Sequence, residues 1–206
     1  MERILIADDH FIVRTGISVL LKEEFPNAEI DECKDGNCVR ERIQANRYDL
    51  AILDIHMPDT NLADLLKSIF PLHPDLKILI LTMSKEEIYA RTYLQLGVKG
   101  FINKEAESSE IRRAIVNVLN NKRYLSPRMQ DNLTQEVLEG RTKNPFETLS
   151  SRELEIMNHL VEGKNVSAIA AILSLQLSTI STHKAKIMHK LGVSNMIERS
   201  KMVHTL

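Results

Sequence analysis

The chain has 206 residues and a net charge of −1, with 43% hydrophobic and 27% charged residues. This length favours two domains, and the composition is that of a folded globular chain. No apolar run reaches the length of a membrane-spanning helix, and the N-terminus lacks the layout of a secretory signal. We therefore expect a cytoplasmic protein without a membrane partner. Residues 1–122 hold 16 basic and 20 acidic groups, whereas residues 144–206 hold 7 basic and 5 acidic, so the two parts are expected to have different partners.

The first 122 residues alternate between strand-like and helix-like segments. Short branched-aliphatic runs predict buried parallel strands, each followed by a stretch of helical periodicity. The strands are predicted near 3–7, 28–33, 49–53, 76–81 and 99–102. The helices are predicted near 11–23, 36–46, 61–69, 85–96 and 107–121. This order predicts an α/β domain in which five parallel strands form a doubly wound sheet with helices on both faces.

The two cysteines, Cys33 and Cys38, are expected to be ordinary thiols. Neither has a histidine or a further cysteine at ligand spacing, and a reducing cytosol keeps thiols unpaired. A disulfide or a metal site is the less favoured alternative.

Residues 123–148 are predicted to form a linker with one helix, which Ser126 caps and which reaches about residue 139. From residue 149 to 206 the pattern is all helical. Ser150 or Ser151, with Glu153 or Glu155, predicts a capping-box start of the first helix. Further helices are predicted at 166–173, 178–191 and 195–205, with a short turn at 174–176. The chain is thus predicted to join an α/β domain to a four-helix, helix-turn-helix domain.

Polar side chains follow four of the predicted strands where those strands end. They are Asp8 and Asp9 after the first strand, Asp54 after the third, Thr82 after the fourth run and Lys104 shortly after the fifth. Because the carboxyl ends of parallel strands share one edge of a sheet, these side chains are expected to meet in one crevice. Carboxylate oxygens suit Mg²⁺, and Asp54 is the best candidate for a nucleophile that forms an acyl phosphate.

The remaining residues of this crevice have predicted supporting roles. Lys104 supplies a point charge for a phosphoryl oxygen, and the Thr82 hydroxyl donates a hydrogen bond to the phosphoryl group. The backbone carbonyl of His56 is a candidate third metal ligand. Each residue alone has an ordinary alternative: a helix cap or loop acid for the aspartates, a strand-end hydroxyl for Thr82, a solvated lysine for Lys104. The combination on separate strand ends favours a phosphoryl site.

The helix predicted at 178–191 has the size and position of a DNA-reading helix. Its outward face carries small, polar and basic residues, namely Ser181, Thr182, His183, Lys184 and Lys186. Small polar groups can approach base edges, and lysines and hydroxyls can hold phosphates. The alternative is a four-helix packing module with a solvated basic face.

Several motifs extend beyond single residues. In the first part they are Ala7-Asp8-Asp9-His10, Asp54-Ile55-His56-Met57-Pro58, Leu81-Thr82 and Gly100-Phe101-Ile102-Asn103-Lys104. Together they resemble the receiver domain of response regulators, over about residues 1–122. The stretch from Leu149-Ser150-Ser151-Arg152 to Lys190-Leu191-Gly192-Val193 looks like a LuxR-type domain. End to end, the chain resembles the NarL/FixJ group of transcriptional regulators.

The resemblance implies a flavodoxin-like receiver in which a sensor histidine kinase phosphorylates Asp54 with Mg²⁺ bound. It implies a switch in which Thr82 moves toward the phosphoryl group and Phe101 swings inward behind it. It also implies binding to double-stranded DNA, with Thr179, Ala185 and Lys190 joining the contact residues. The helix predicted at 195–205 would form the homodimer on DNA.

Two departures from the family pattern have predicted consequences. Met83 follows Thr82 where many receivers have a small residue, so its thioether is expected to restrict access by small phosphodonors and by water. In the reading helix, Ser181 replaces a frequent lysine and Ala185 holds another contact position. Fewer cations release fewer counterions, which predicts a shallow salt dependence of DNA binding.

Two other functions use some of the same residues. A Mg²⁺-dependent phosphatase of the haloacid-dehalogenase type also has an aspartate nucleophile, but it needs an acid two residues later, where this chain has His56. A phosphate-independent DNA-binding protein with a vestigial receiver would not need the five site residues, which are intact. The leading prediction is a non-enzymatic, DNA-binding response regulator of a two-component phosphorelay, switched at Asp54.

Overall fold

The structure is a computed structural model that describes residues 2–139, 145–161 and 163–192. The helix predicted at 195–205 lies outside the described residues. The chain divides into two compact units, Met1–Glu86 with Tyr93–Gly140 and Glu87–Thr92 with Arg141–Leu206. The domain limits expected at residues 122 and 149 remain predictions.

The first unit contains a parallel sheet of five strands. The strands are β1 (Arg3–Ala7), β2 (Glu29–Cys33), β3 (Leu50–Leu53), β4 (Lys77–Thr82) and β5 (Gly100–Asn103). Their order is β2-β1-β3-β4-β5, and every neighbouring pair is parallel. The predicted sheet is therefore confirmed. The chain reverses its direction of travel across the sheet between β1 and β3, and the carboxyl ends of such strands form a crevice where ligands bind.

Helices alternate with these strands, as the periodicity predicts. They are α1 (Phe11–Glu24), α2 (Gly36–Ala45), α3 (Leu62–Ile69), α4 (Glu86–Gln95), α5 (Ser108–Leu119) and α6 (Pro127–Glu139). α1 and α5 contact each other and share a core with alternate strand residues, among them Ile4, Ile6 and Ile52. α2 contacts α3, β1 and β2. Because successive strand residues point to opposite faces, this alternation buries both sides of β1 and β3.

Short polar residues begin several of these helices. Asp35 caps α2 by accepting the Cys38 N–H at 2.9 Å, and Asn61 caps α3 by accepting the Asp64 N–H at 3.0 Å. The predicted cap of α6 is confirmed, since the Ser126 hydroxyl accepts the Met129 N–H at 3.2 Å. A capped start satisfies backbone donors that have no partner inside the helix.

The second unit contains a turn of 3₁₀ helix (Pro145–Thr148) followed by α7 (Ser151–Val161), α8 (Val166–Ile172) and α9 (Leu177–Leu191). The predicted capping box is present: the Ser150 N–H donates to Glu153 Oε2 at 2.7 Å, and the Glu153 N–H donates to Ser150 Oγ at 3.3 Å. α9 ends at Gly192, whose φ of +64° suits a residue without a side chain.

The three helices of this unit pack on one another around buried aliphatic side chains. Leu154 from α7, Ile169 from α8 and Ile180 and Ile187 from α9 are each completely buried. The stripe predicted to face inward on α9 is therefore confirmed. Among the described residues no single helix is long and apolar enough to cross a membrane; α8 and α9 meet that test only when taken together across a bend of 113°.

Candidate functional site

Asp8 and Asp54 lie next to each other at the carboxyl edge of the sheet, because each follows one of two adjacent strands. The Asp54 N–H donates to the Ala7 carbonyl at 2.9 Å, and the Asp8 N–H donates to the Cys33 carbonyl at 3.1 Å. These bonds fix the backbone from which the carboxylates project. The side chains of Asp8 and Asp54 are only 3% and 4% exposed. The sheet thus brings two buried acids together at its carboxyl edge.

Four side chains in this crevice could hold a metal ion. Asp8, Asp9, His10 and Asp54 each present one ligand atom, and these atoms lie within 4.8 Å of one another. The three aspartates were predicted to meet here. No role was predicted for His10, whose Nδ1 lies 3.1 Å from Asp8 Oδ1 and 2.8 Å from Asp9 Oδ1. Its only signal in the sequence is its place directly after the two acids.

The alternative in which Asp8 and Asp9 cap α1 is not what the structure shows. His10 occupies the cap position, and its side chain makes no capping bond. Asp8 Oδ1 instead accepts the backbone N–H of His10 at 2.9 Å, one residue before the helix begins. The acids are therefore held by the loop that precedes α1 and not by the first turn of the helix itself.

Lys104 joins the two buried acids. Its Nζ lies 2.8 Å from Asp54 Oδ2 and 2.5 Å from Asp8 Oδ2, and its backbone N–H donates to the Thr82 carbonyl at 2.9 Å. Burial by itself lowers the pKa of Lys104, but the hydrogen bonds to Asp54 and Asp8 outweigh it, so the pKa lies above its ordinary value of 10.5. Lys104 is therefore a fixed cation inside the crevice.

The second oxygen of the Asp54 carboxylate is left without a partner. Asp54 Oδ1 is buried and accepts no hydrogen bond from any described residue. A buried acceptor without a partner is uncommon and often marks a place where a ligand or ion binds. Three carboxylates beside one ammonium also leave negative charge uncompensated. Hard oxygen ligands with excess negative charge fit a divalent cation such as Mg²⁺.

The structure places Thr82, Phe101 and His56 in the loops and strands around these acids. Thr82 is completely buried at the end of β4, and its hydroxyl accepts the Ser84 N–H at 3.3 Å. Phe101 is also completely buried. The proposed switch of Thr82 and Phe101 on phosphorylation stays a prediction. The ring of His56 contacts Ser84 Oγ at 2.7 Å. The role of the His56 carbonyl as a metal ligand stays a prediction.

The helix predicted to read DNA is α9, and it follows α8 in a helix-turn-helix arrangement. The two helices bend by 113° across the turn, within the range of about 90–120° usual for this motif. Ser181, Thr182, Ala185 and Lys186 are exposed, whereas Thr179, His183 and Lys184 are partly exposed. This face therefore presents most of the predicted contact residues together.

Three residues of this face have surroundings that the sequence did not reveal. Lys190 Nζ lies 2.6 Å from Glu153 Oε2, so its ammonium is paired with the capping box of α7. Lys190 was predicted to contact DNA; its side chain is 36% exposed, and that contact stays a prediction. His183 Nδ1 is buried and has no hydrogen-bond partner among the described residues. The Thr182 hydroxyl donates to the Ser178 carbonyl at 2.9 Å.

The prediction that both cysteines are free thiols is wrong in this structure. Cys33 and Cys38 form a disulfide, with their Cα atoms 5.5 Å apart. The physical reason is local: β2 ends at Cys33, and the first turn of α2 brings Cys38 back over the end of that strand. Spacing in the sequence did not show this return of the chain.

The fold and the acidic site define a class of protein in which a phosphoacceptor domain is joined to a helix-turn-helix domain. The family model described as response regulator receiver domain matches residues 4–116, and the model described as bacterial regulatory proteins, luxR family, matches residues 147–203. The first model includes the acidic crevice, and the second includes α9.

Curated relatives match the chain over nearly its whole length. It is 34% identical over 203 residues to the oxygen regulatory protein NreC of Staphylococcus carnosus (strain TM300), covering 95% of this chain and 94% of NreC. It is 29% identical over 199 residues to the response regulator GacA of Pseudomonas viridiflava, covering 96% and 93%. RcsB from Salmonella enterica serovar Typhimurium, solved bound to promoter P1flhDC in the presence of the phosphomimetic BeF3-, has a TM-score of 0.75 and 26% identity, covering 100% and 99%. The chain belongs to the NarL/FixJ group of two-component response regulators, which are DNA-binding transcriptional regulators.

Proposed function

We propose that Asp54 is the phosphoacceptor of this regulator and that phosphorylation there controls DNA binding through α9. The observation that carries the proposal is the state of the Asp54 carboxylate. One oxygen is paired with Lys104 at 2.8 Å, and the other is buried without a partner among the described residues. A carboxylate held on one side and unpaired on the other is oriented for a reaction at the unpaired oxygen.

In the proposed reaction, Asp54 Oδ1 attacks the phosphorus atom of a phosphohistidine. An O–P bond forms while the P–N bond breaks, and the imidazole leaves with the electron pair and takes up a proton. Lys104 is close enough to Asp54 to pair with an oxygen of the transferred group, which places a positive charge where negative charge gathers. Asp8, Asp9, Asp54 and the His56 carbonyl would hold Mg²⁺, which neutralises phosphoryl charge when bound.

The proposed partners follow from the chemistry and from the relatives. A phosphohistidine donor implies a sensor histidine kinase. The RcsB structures include one of two RcsB dimers bound to two parallel DNAs, which supports a homodimer on double-stranded DNA for this chain. A DNA partner supports a cytoplasmic location. We further propose that the chain has no phosphatase activity toward metabolites, since His56 stands where that chemistry needs an acid.

Intact mass spectrometry tests the phosphoacceptor. The full chain is incubated with Mg²⁺ and phosphoramidate, or with a purified histidine kinase from the same genome and ATP, and a gain of one phosphoryl group is expected. Asp54→Asn should abolish the gain, whereas Asp59→Asn, a matched change at an exposed acid of the following loop, should keep it. A gain that persists in Asp54→Asn would refute the proposal, and multiple turnover of a small phosphate ester would favour the phosphatase.

DNA binding is tested with duplexes selected from a random library by the phosphorylated chain. Lys186→Ala is expected to weaken binding and to reduce the slope of log K against log salt by about 1 for each phosphate that the protein no longer neutralises. Lys122→Ala removes the same charge from an exposed position in the first unit and should leave the slope unchanged. Equal effects of the two variants would show that net charge, not the α9 face, drives binding.

A further inference from the structure

The disulfide between Cys33 and Cys38 joins two positions of very different accessibility. Cys33 is 2% exposed at the end of β2, whereas Cys38 is partly exposed in the first turn of α2. The Cα separation of 5.5 Å lies within the range of about 4.4–6.8 Å that a disulfide requires. The end of β2 and the start of α2 hold the two positions close enough for a disulfide to form.

The disulfide-bonded segment, residues 33–38, contacts the backbone of Asp8 and the loop that follows Asp54. On one side, the Cys33 carbonyl accepts the backbone N–H of Asp8 at 3.1 Å. On the other, the Gly36 N–H donates to Thr60 Oγ1 at 2.8 Å, and Thr60 belongs to the loop that follows Asp54. This contact is close: a side-chain Cβ built on Gly36 would lie 2.5 Å from Thr60 Cγ2. The disulfide-bonded segment therefore makes hydrogen bonds to the backbone of Asp8 and to the loop that follows Asp54.

We propose that Cys33 and Cys38 are a reversible thiol–disulfide site whose redox state sets how readily Asp54 is phosphorylated. The inference rests on the proposed phosphorylation of Asp54. In the disulfide form, the closed segment holds the loop after Asp54 and the backbone of Asp8 in the positions seen in this structure. In the dithiol form, the segment gains conformational freedom, and the hydrogen bonds to Asp8 and Thr60 form for a smaller fraction of the time.

The oxidant is a low-molecular-mass disulfide, R–S–S–R. The Cys38 thiolate attacks one of its sulfurs, and one R–S⁻ leaves. The Cys33 thiolate then attacks Cys38 Sγ, which forms the protein disulfide and releases the second R–S⁻. The two protons lost by the cysteines pass to the two released thiolates, so two protein thiols are oxidised and one small disulfide is reduced to two thiols. A small thiol reverses both steps, and it meets Cys38 first because Cys33 is buried.

The first measurement establishes the site without using phosphorylation. The full chain is equilibrated in glutathione buffers of graded redox ratio, quenched in acid, treated with N-ethylmaleimide and weighed as the intact protein. We expect two populations, with zero or two maleimides, whose ratio follows the buffer. Cys33→Ser should trap a mixed glutathione disulfide at Cys38. If the two thiols stay unpaired in every buffer, the proposal is overturned.

The second measurement tests the coupling. Oxidised and reduced chains are phosphorylated with phosphoramidate and Mg²⁺, and the oxidised form is expected to react about fivefold faster, which is the lower end of usual couplings between sites. Cys38→Ser should react at the rate of the reduced form in both buffers. Equal rates for the two forms would refute the coupling.

Calorimetric titration of Mg²⁺ into the oxidised and reduced chains separates the redox proposal from the proposal that Asp54 is the phosphoacceptor. If neither form gains a phosphoryl group from phosphoramidate or from a histidine kinase with ATP, the phosphoacceptor proposal fails. A difference of about fivefold in Mg²⁺ affinity would still show that the redox state changes the acidic crevice, and equal affinities would refute that change.

Discussion

Replacing Lys104 by methionine should destabilise the receiver unit. Among the residues that the structure describes, Lys104 is the cation that pairs with both Asp8 and Asp54. Its side chain is 7% exposed, and its Nζ is within 2.8 Å of Asp54 and 2.5 Å of Asp8. Methionine keeps the length of the side chain but leaves the carboxylates buried beside one another. Breaking a buried ion pair by removing one partner costs about 3 kcal/mol at the lower end of measured values.

Urea unfolding at pH 7 without Mg²⁺ measures this cost. The chain has no tryptophan, and three of its four tyrosines, Tyr48, Tyr93 and Tyr124, belong to the first unit, so tyrosine circular dichroism reports mainly on that unit. With a urea slope of about 2 kcal/mol/M, the midpoint should fall by about 1.5 M. Lys122→Met, a matched change at an exposed lysine, should shift the free energy of unfolding by less than about 0.5 kcal/mol.

Two further results follow from the same reasoning. Adding Asp54→Asn to Lys104→Met should recover much of the lost stability, since it removes one of the crowded charges. Mg²⁺ should stabilise Lys104→Met more than the natural chain, because the acids of the variant carry more uncompensated negative charge. If the midpoint of Lys104→Met stays within about 0.2 M of the natural value (about 0.4 kcal/mol at that slope), the buried-pair argument is refuted.

Other predictions concern pH, the second unit and donor access. The pKa of Lys104 is raised, so the stability that its protonated form contributes is complete below pH 10.5. It is lost as the pH rises through the higher pKa of the folded state. Above pH 10.5, the free energy of unfolding should therefore fall less with pH in Lys104→Met than in the natural chain. Burial raises the pKa of Glu153, but hydrogen bonds from Lys190 and Ser150 outweigh it and lower the pKa. The resulting stability is therefore present above pH 4.5 and lost below, and Glu153→Gln should cost about 1 kcal/mol at pH 7, measured by hydrogen exchange in α7. The Met83 side chain is 58% exposed, and Met83→Ala should speed phosphorylation by phosphoramidate but not by a kinase; a slower reaction would contradict the steric argument.

Much of the fold was predictable because its signals are local. The apolar runs indicated the five strands, the caps at Ser126 and Ser150 indicated two helix starts, and the spacing of Ile180 and Ile187 indicated the buried face of α9. The three aspartates and Lys104 were predicted to converge because parallel strands share their carboxyl edge, which is a rule of topology and needs no coordinates.

Individual side-chain contacts were not predictable from those signals. The pairing of Lys104 with Asp54 spans 50 residues, and that of Lys190 with Glu153 spans 37. The ion pair of Lys190 with Glu153 therefore could not be read from the pattern of α9 alone. The place of His10 among the acids also escaped prediction, because a histidine after two acids has no periodic pattern to mark it.

The amino-acid sequence alone determined the order of strands and helices, the two functional regions and the edge where the acids meet, since periodicity, capping and strand-end position are properties of neighbouring residues. Only the tertiary structure decided which oxygen of Asp54 is paired, that Cys33 and Cys38 are bonded, and that Lys190 of α9 is paired with Glu153. These outcomes depend on distances of a few ångströms between elements, and such distances are set by packing and not by the pattern of any one segment.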